Sequence, residues 1–284
     1  MPLDAAIVGQ SIPAERHSVD ARWLMAYAAS LNDPNPAYMD TQTNAVVAHP
    51  VFPVCVEWPV ILNTRALAGS QSLTDKESAR GVHAAHDLHI HAPIKAGDKL
   101  STSATMIGVN AIKPGAAYTM KLTTTNQTGK VVAETYQLGI YRNVDVTGEN
   151  RFSEDPPELP TRSDPTQGTR SEIYVSGGAA HTYTECAHIW NPIHTDKAVA
   201  LAAGLPDIIL HGTATLALAV TNIIDKHADS NPGRVTRLGG RFAAMVLMPS
   251  TIIVESHQVD NIVSYHVFTE DGDTAISGGF VCLD

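Results

Sequence analysis

The stretch AHIWNPIHTD, residues 187–196, places an imidazole, His194, just after a sharp Asn191-Pro192 turn. Imidazole titrates near neutral pH, so a histidine held by a rigid turn is a candidate general acid or base. Adding or removing water ordinarily asks for an anionic group beside it. The neighbours here are Ala187, His188, Ile189 and Trp190, and none is a carboxylate. Farther along, His211-Gly212-Thr213 opens the apolar run GTATLALAVTNII. The first N–H groups of such a helix lack partners, and with the positive end of the helix dipole they can receive an oxygen on which charge develops. The bland alternative for Asn191-Pro192 is a turn that stops a helix, because a residue before proline is biased away from the helical region.

Other chemistries leave no trace. There is no GxGxxG, no GxxxxGK[ST], no GxSxG and no HExxH. The segment GVHAAHDLHIHAP carries His83, His86, His89 and His91; alternation puts His89 and His91 on one strand face, a weak zinc pattern against the plainer reading of structural histidines. Asp40 and Asp196 read as helix caps. Trp190 and Tyr183 read first as packing residues and second as substrate contacts. Arg234, Arg237, Arg241 and Lys197 are the clustered cations available to phosphates.

Composition narrows the class. A formal net charge of −10 disfavours nucleic acid or an anionic membrane as partner. No apolar run reaches the roughly 20 residues of a membrane span, and the N-terminus lacks the form of a signal peptide, so a cytoplasmic protein is expected. Cys55, Cys186 and Cys282 show no CxxC spacing and read as reduced thiols.

An internal repeat organises the chain. Tyr27 aligns with Tyr183, Asn35 with Asn191, Pro36 with Pro192, Asp40 with Asp196 and Pro50 with Pro206, all at one separation. Each Asn-Pro segment is followed by an apolar run suited to a buried helix, Val54–Leu67 and Leu210–Ile224, and then by β patterning with hairpin signals at Asn126–Gly129 and Glu270–Asp273. The expected organisation is an N-terminal half over 1–144, a Pro- and acid-rich linker over 145–170 and a C-terminal half over 171–284.

The second half resembles the MaoC-like, R-specific enoyl-CoA hydratase family in Asn191-Pro192-Ile193-His194-Thr195-Asp196 and in Ala203-Gly204-Leu205-Pro206, Ile209-Leu210-His211-Gly212. The resemblance implies an α+β double hot dog, two tandem halves each with a long helix wrapped by a curled antiparallel sheet. It also implies water addition to, or removal from, a 2-enoyl thioester, with coenzyme A as part of the substrate, no other cofactor and no metal. His194 matches the family histidine, and the family aspartate falls on Ile189. The first half shows the converse, with Asp33 on the acid position and Tyr38 on that of the histidine.

Four readings of the missing acid stand. His188 or Glu185 replaces it; a first-half histidine, His83, His86, His89 or His91, reaches across; the site binds a thioester without turnover; or the chemistry is thioester hydrolysis. A composite of Asp33 with His194 is disfavoured, because the two motifs belong at pseudo-symmetric ends. The expected catalytic set is His194, His188, Asn191 and Gly212. Substrate contacts are expected from His211, Trp190, Ile189, Thr213 and Arg241, with Asp33, Glu185, His89 and His91 as secondary candidates. By the constant offset Gly212 corresponds to Val56, so the first half is expected to lack the amide site. The outer sheet edges suggest a homodimer or higher homo-oligomer.

Overall fold

The computed structural model describes residues 2–42, 45–71 and 73–284. The chain begins with strands β1 (Leu3–Asp4) and β2 (Ser11–Ser18), then helices α1 (Ala21–Ser30), α2 (Pro36–Met39), α3 (Pro53–Asn63) and α4 (Asp75–Ser78). Strands β3 (Gly81–Ile90), β4 (Lys99–Ile112), β5 (Gly115–Thr125) and β6 (Val131–Arg142) follow. Short strands β7 (Val146–Thr147) and β8 (Arg151–Phe152) lead to β9 (Thr169–Val175), α5 (Ala179–Ala187), α6 (Lys197–Ala202) and α7 (Gly212–His227). Strands β10 (Val235–Phe242), β11 (Ser250–Val259), β12 (Ile262–Phe268) and β13 (Thr274–Leu283) close the chain. Both hairpin signals fall where expected, between β5 and β6 and between β12 and β13.

Strand order in the large sheet is β2-β4-β5-β6-β3-β10-β13-β12-β11-β9, with β8 added beside β4. Read from either end, that order gives equivalent strands of the two halves and places a pseudo-twofold between β3 and β10. The two curled sheets expected from sequence are thus one sheet, joined antiparallel from Arg237↔His89 to Arg241↔Ala85. Joining them satisfies the backbone groups of both central edges, which exposed strands would leave unpaired.

The repeat is visible as contact. Tyr27 and Tyr183, 156 residues apart, bring their hydroxyls to 3.4 Å where α1 packs on α5. The constant offset ends after the Asn-Pro segments, however. The central helices begin at Pro53 and Gly212 (212 − 53 = 159), so Pro53, not Val56, is the counterpart of Gly212, and the Pro50/Pro206 match is coincidental. Proline has no N–H, so the first half offers no amide donor at that position.

Helix α7 has apolar residues on nearly every face because it is enclosed, with Leu216, Ala217, Ala219, Val220 and Ile223 fully buried beneath β10–β13. Helix α3 is shorter than expected: it gives way at Asn63 to a 3-10 turn over Thr64–Ala66, and Pro59 interrupts its hydrogen-bond ladder. Among the described residues no helix is long and apolar enough to cross a membrane.

Candidate active site

His194 lies in a 3-10 turn, Pro192–His194, where its N–H bonds the Asn191 carbonyl. Its Nδ1 is 2.8 Å from the carbonyl oxygen of Ile209. A carbonyl only accepts, so Nδ1 carries the proton and the lone pair sits on Nε2, which has no hydrogen-bond partner among the described residues. Burial pushes the His194 pKa down to about 4, the Ile209 bond opposing only in part. The ring is therefore neutral at physiological pH, with Nε2 as a base.

His211 packs its ring on that of His194, centroids 3.7 Å apart and planes 25° from parallel. Thr184 Oγ1 lies 3.2 Å from His211 Nε2, and the Tyr183 ring is 5.0 Å from the His211 ring. Burial, then the neighbouring His194, lowers the His211 pKa to about 2. His211 is also the N-cap residue of the 16-residue α7 and gives that helix no side-chain cap. By contrast Asp20 caps α1 and Asp196 caps α6. Gly212 is exposed at the uncapped end, and the ring of Phe242 lies close enough that a Cβ added to Gly212 would meet it at 3.2 Å. Free amide donors thus begin one residue after the imidazole stacked on His194, as an oxyanion site requires.

Ile189, expected from sequence at the acid position, lies in an apolar setting. Ile189 is 5% exposed and belongs to the main core. At His188 a left-handed backbone conformation (φ 58°) ends α5, and the ring is engaged with two indoles. It stacks on Trp23 at 4.4 Å and on Trp190 at 5.3 Å. Glu185 lines a cavity of about 260 Å³ with His181, Thr184, Trp190, Asn191, Pro192 and Thr195. Thr184 joins that cavity to the imidazole pair through its bond to His211. Trp190 is 58% exposed, against its reading as a packing residue, whereas Tyr183 is buried and donates to Thr213 Oγ1 at 3.1 Å.

Asp33 is engaged elsewhere. Its Oδ2 accepts from Thr221 Oγ1 (3.0 Å) and its Oδ1 from the Asn35 N–H (3.1 Å), while His49 Nε2 lies 3.2 Å from the same Thr221 hydroxyl. Thr221 follows Gly212 by nine residues on α7, about 13 Å at the helical rise, so no composite with His194 forms. Burial raises the Asp33 pKa. The motif was legible; His49, Thr221 and Thr184 were not, since nothing in their local sequence marks them.

Of the cations, Arg237 forms a bidentate pair with Asp87 at 2.8 Å, Arg234 meets Asp229, and Lys197 meets Asp207. Arg241 is exposed and has no carboxylate partner among the described residues. His89 faces Asp87 at 3.4 Å and His91 faces Glu134 at 2.9 Å. Among the described residues no three His, Cys, Asp or Glu side chains gather into a metal site. Asp196 caps α6 as expected, but Asp40 accepts from the Gln42 N–H in a turn and begins no helix.

Residues 159–277 match the MaoC like domain, and residues 6–135 match the FAS1-like dehydratase domain region. The chain has the double hot-dog fold, with a MaoC like domain over residues 159–277. Its fold matches a MaoC-like dehydratase from Phytophthora capsici with a TM-score of 0.84 at 18% identity, over 98% of this chain and 96% of that one. A Mycobacterium tuberculosis protein described as a double hot dog superposes with a TM-score of 0.65 at 16% identity, covering 97% of this chain and 96% of the other. Among curated proteins, peroxisomal multifunctional enzyme type 2 of Drosophila melanogaster is 34% identical over 33% of this chain and 16% of its own length. Enoyl-CoA hydratase 2 of Arabidopsis thaliana is 33% identical over 32% of this chain and 30% of its own. The matches therefore span under a third of these relatives.

Proposed function

We propose that this MaoC-like protein is a hydro-lyase that adds water to, or removes it from, an (R)-3-hydroxyacyl/2-enoyl-CoA pair. The observation that carries this reading is the junction of a neutral His194, whose Nε2 is free, with the uncapped start of α7, linked by a 3.7 Å imidazole stack. In the hydration direction His194 Nε2 takes a proton from water as the water oxygen bonds to C3. The C2=C3 electron pair moves toward the thioester carbonyl, whose oxygen gathers charge against the Gly212 N–H. The imidazolium then returns its proton to C2, so water is added and the ring is restored. Dehydration is the reverse. Similarity to an enoyl-CoA hydratase 2 and to a peroxisomal multifunctional enzyme supports the substrate class. Of the four clustered cations, Arg241, exposed and without a carboxylate partner among the described residues, is the one we assign to the CoA phosphates.

The burial of Ile189 where the family has its acid favours one competing reading, a thioester-binding protein without turnover. A panel of short, branched and bulky 2-enoyl-CoA esters, followed by loss of enoyl-thioester absorbance, separates the two. The hydratase reading expects turnover that His194→Ala abolishes and His188→Ala leaves within a few-fold, since His188 serves the indole stack. Acyl-CoA binding with no turnover across the panel would leave the binder.

A further inference from the structure

Two histidines that this chemistry does not use lie on the inner face of the strands joining the halves. His86 on β3 is 2% exposed, and neither ring nitrogen has a hydrogen-bond partner among the described residues. Its register partner across the seam is Gly240, and Leu88 and Leu238, two residues along on their strands, are core residues, so the face is the inner one. His83 packs edge-on to His86 at 5.3 Å and to Phe242 at 4.8 Å, and Phe242 lies against Gly212. A continuous row, Gly212, Phe242, His83, His86, thus runs from the exposed start of α7 into the first half.

An imidazole buried with both nitrogens unsatisfied is costly beside one that is hydrogen-bonded, and an apolar side chain of that size would fill the space without the penalty. His86 is held neutral, its pKa lowered to about 4 by burial, and a neutral ring offers one donor and one acceptor. A hydroxyl or carbonyl oxygen satisfies such a ring better than a methylene does. A thioester with its carbonyl oxygen at Gly212 and its chain entering between the halves would pass along this row, several carbons beyond the reacting bond.

We infer that His86, supported by His83, is a specificity-determining residue for an acyl group bearing a neutral oxygen, hydroxyl or keto, on the part of the chain that enters the seam between the halves. The inference rests on the thioester reading above, but its test does not depend on turnover. Calorimetry compares saturated acyl-CoA thioesters of equal length, one series plain and one carrying a single hydroxyl or keto group at successive positions, on wild type, His86→Leu and His86→Gln. Satisfying one buried polar group predicts about tenfold tighter binding of the best oxygenated ester to wild type. His86→Leu should erase or reverse that preference, and His86→Gln, which keeps a donor and an acceptor, should retain part of it. Equal or tighter binding of the plain ester to wild type, or a preference that survives His86→Leu, overturns the inference, as does failure of both series to bind. A preference that His86→Leu removes, in a protein that hydrates no enoyl-CoA, upholds the inference and sinks the hydratase reading.

Discussion

Acidification tests the protonation state assigned to His194. Nδ1 is fixed as the donor by the Ile209 carbonyl and burial brings the pKa to about 4, so Nε2 stays a free base well below the ordinary imidazole range. An unperturbed imidazole of pKa 6.5 is about 24% neutral at pH 6 and about 97% at pH 8, so a base of that kind would lose roughly fourfold in kcat/KM between these values. With a pKa near 4 the ring is about 99% neutral at pH 6, and kcat/KM should be flat from pH 8 to 6. The sign follows from the role: a base must be deprotonated, and a lowered pKa moves the acid limb to lower pH. The assay is initial-rate hydration of an enoyl-CoA at low substrate concentration, with circular dichroism at each pH confirming the fold, and His194→Ala as the zero. A fourfold fall centred near pH 6.5 in protein that stays folded would show that the ring is not held neutral and refute the reasoning.

Gly212→Pro removes one amide donor at a position where proline suits a helix, so kcat should fall about 10²- to 10³-fold with little loss of helicity; an unchanged kcat would dismiss the amide site. Thr184→Val deletes the hydroxyl beside His211 Nε2 and should lower kcat several-fold, about 1 kcal/mol, with KM held, whereas a change confined to KM would move Thr184 from positioning to substrate binding. Asp33→Ala strips the carboxylate from Thr221 and should cost about 1–3 kcal/mol in chemical unfolding while the folded enzyme keeps its kcat; loss of kcat in folded protein would return Asp33 to the chemistry. His49, His83, His86, His194 and His211 all have pKa values lowered by burial, so the unfolded chain takes up protons first as pH falls through 6.5. Stability should be full above that pH and drop by roughly 1 kcal/mol per histidine at pH 6, seen as a falling melting temperature; melting unchanged between pH 8 and 6 would contradict five neutral buried rings.

The alignment of Tyr27, Asn35 and Asp40 with Tyr183, Asn191 and Asp196 was enough to determine a duplication, two helix-and-sheet units and an Asn-Pro turn carrying one histidine. These features are local: turn residues, periodicity and offset are properties of neighbours along the chain. The same locality misled where spacing was carried too far, as in pairing Gly212 with Val56, because three residues enter between turn and helix and no local signal marks them. It also favoured His188, adjacent in sequence, over His211, which reaches His194 only when the chain from 195 to 210 folds back and the Ile209 carbonyl fixes the ring. Tertiary structure alone decided that β3 and β10 join the halves, that Asp33 serves α7 rather than the imidazole, and that His86 lies beside His83 with neither ring nitrogen hydrogen-bonded among the described residues. Each depends on residues distant in sequence meeting in a low-dielectric interior, where burial sets protonation and an unpaired polar group becomes costly.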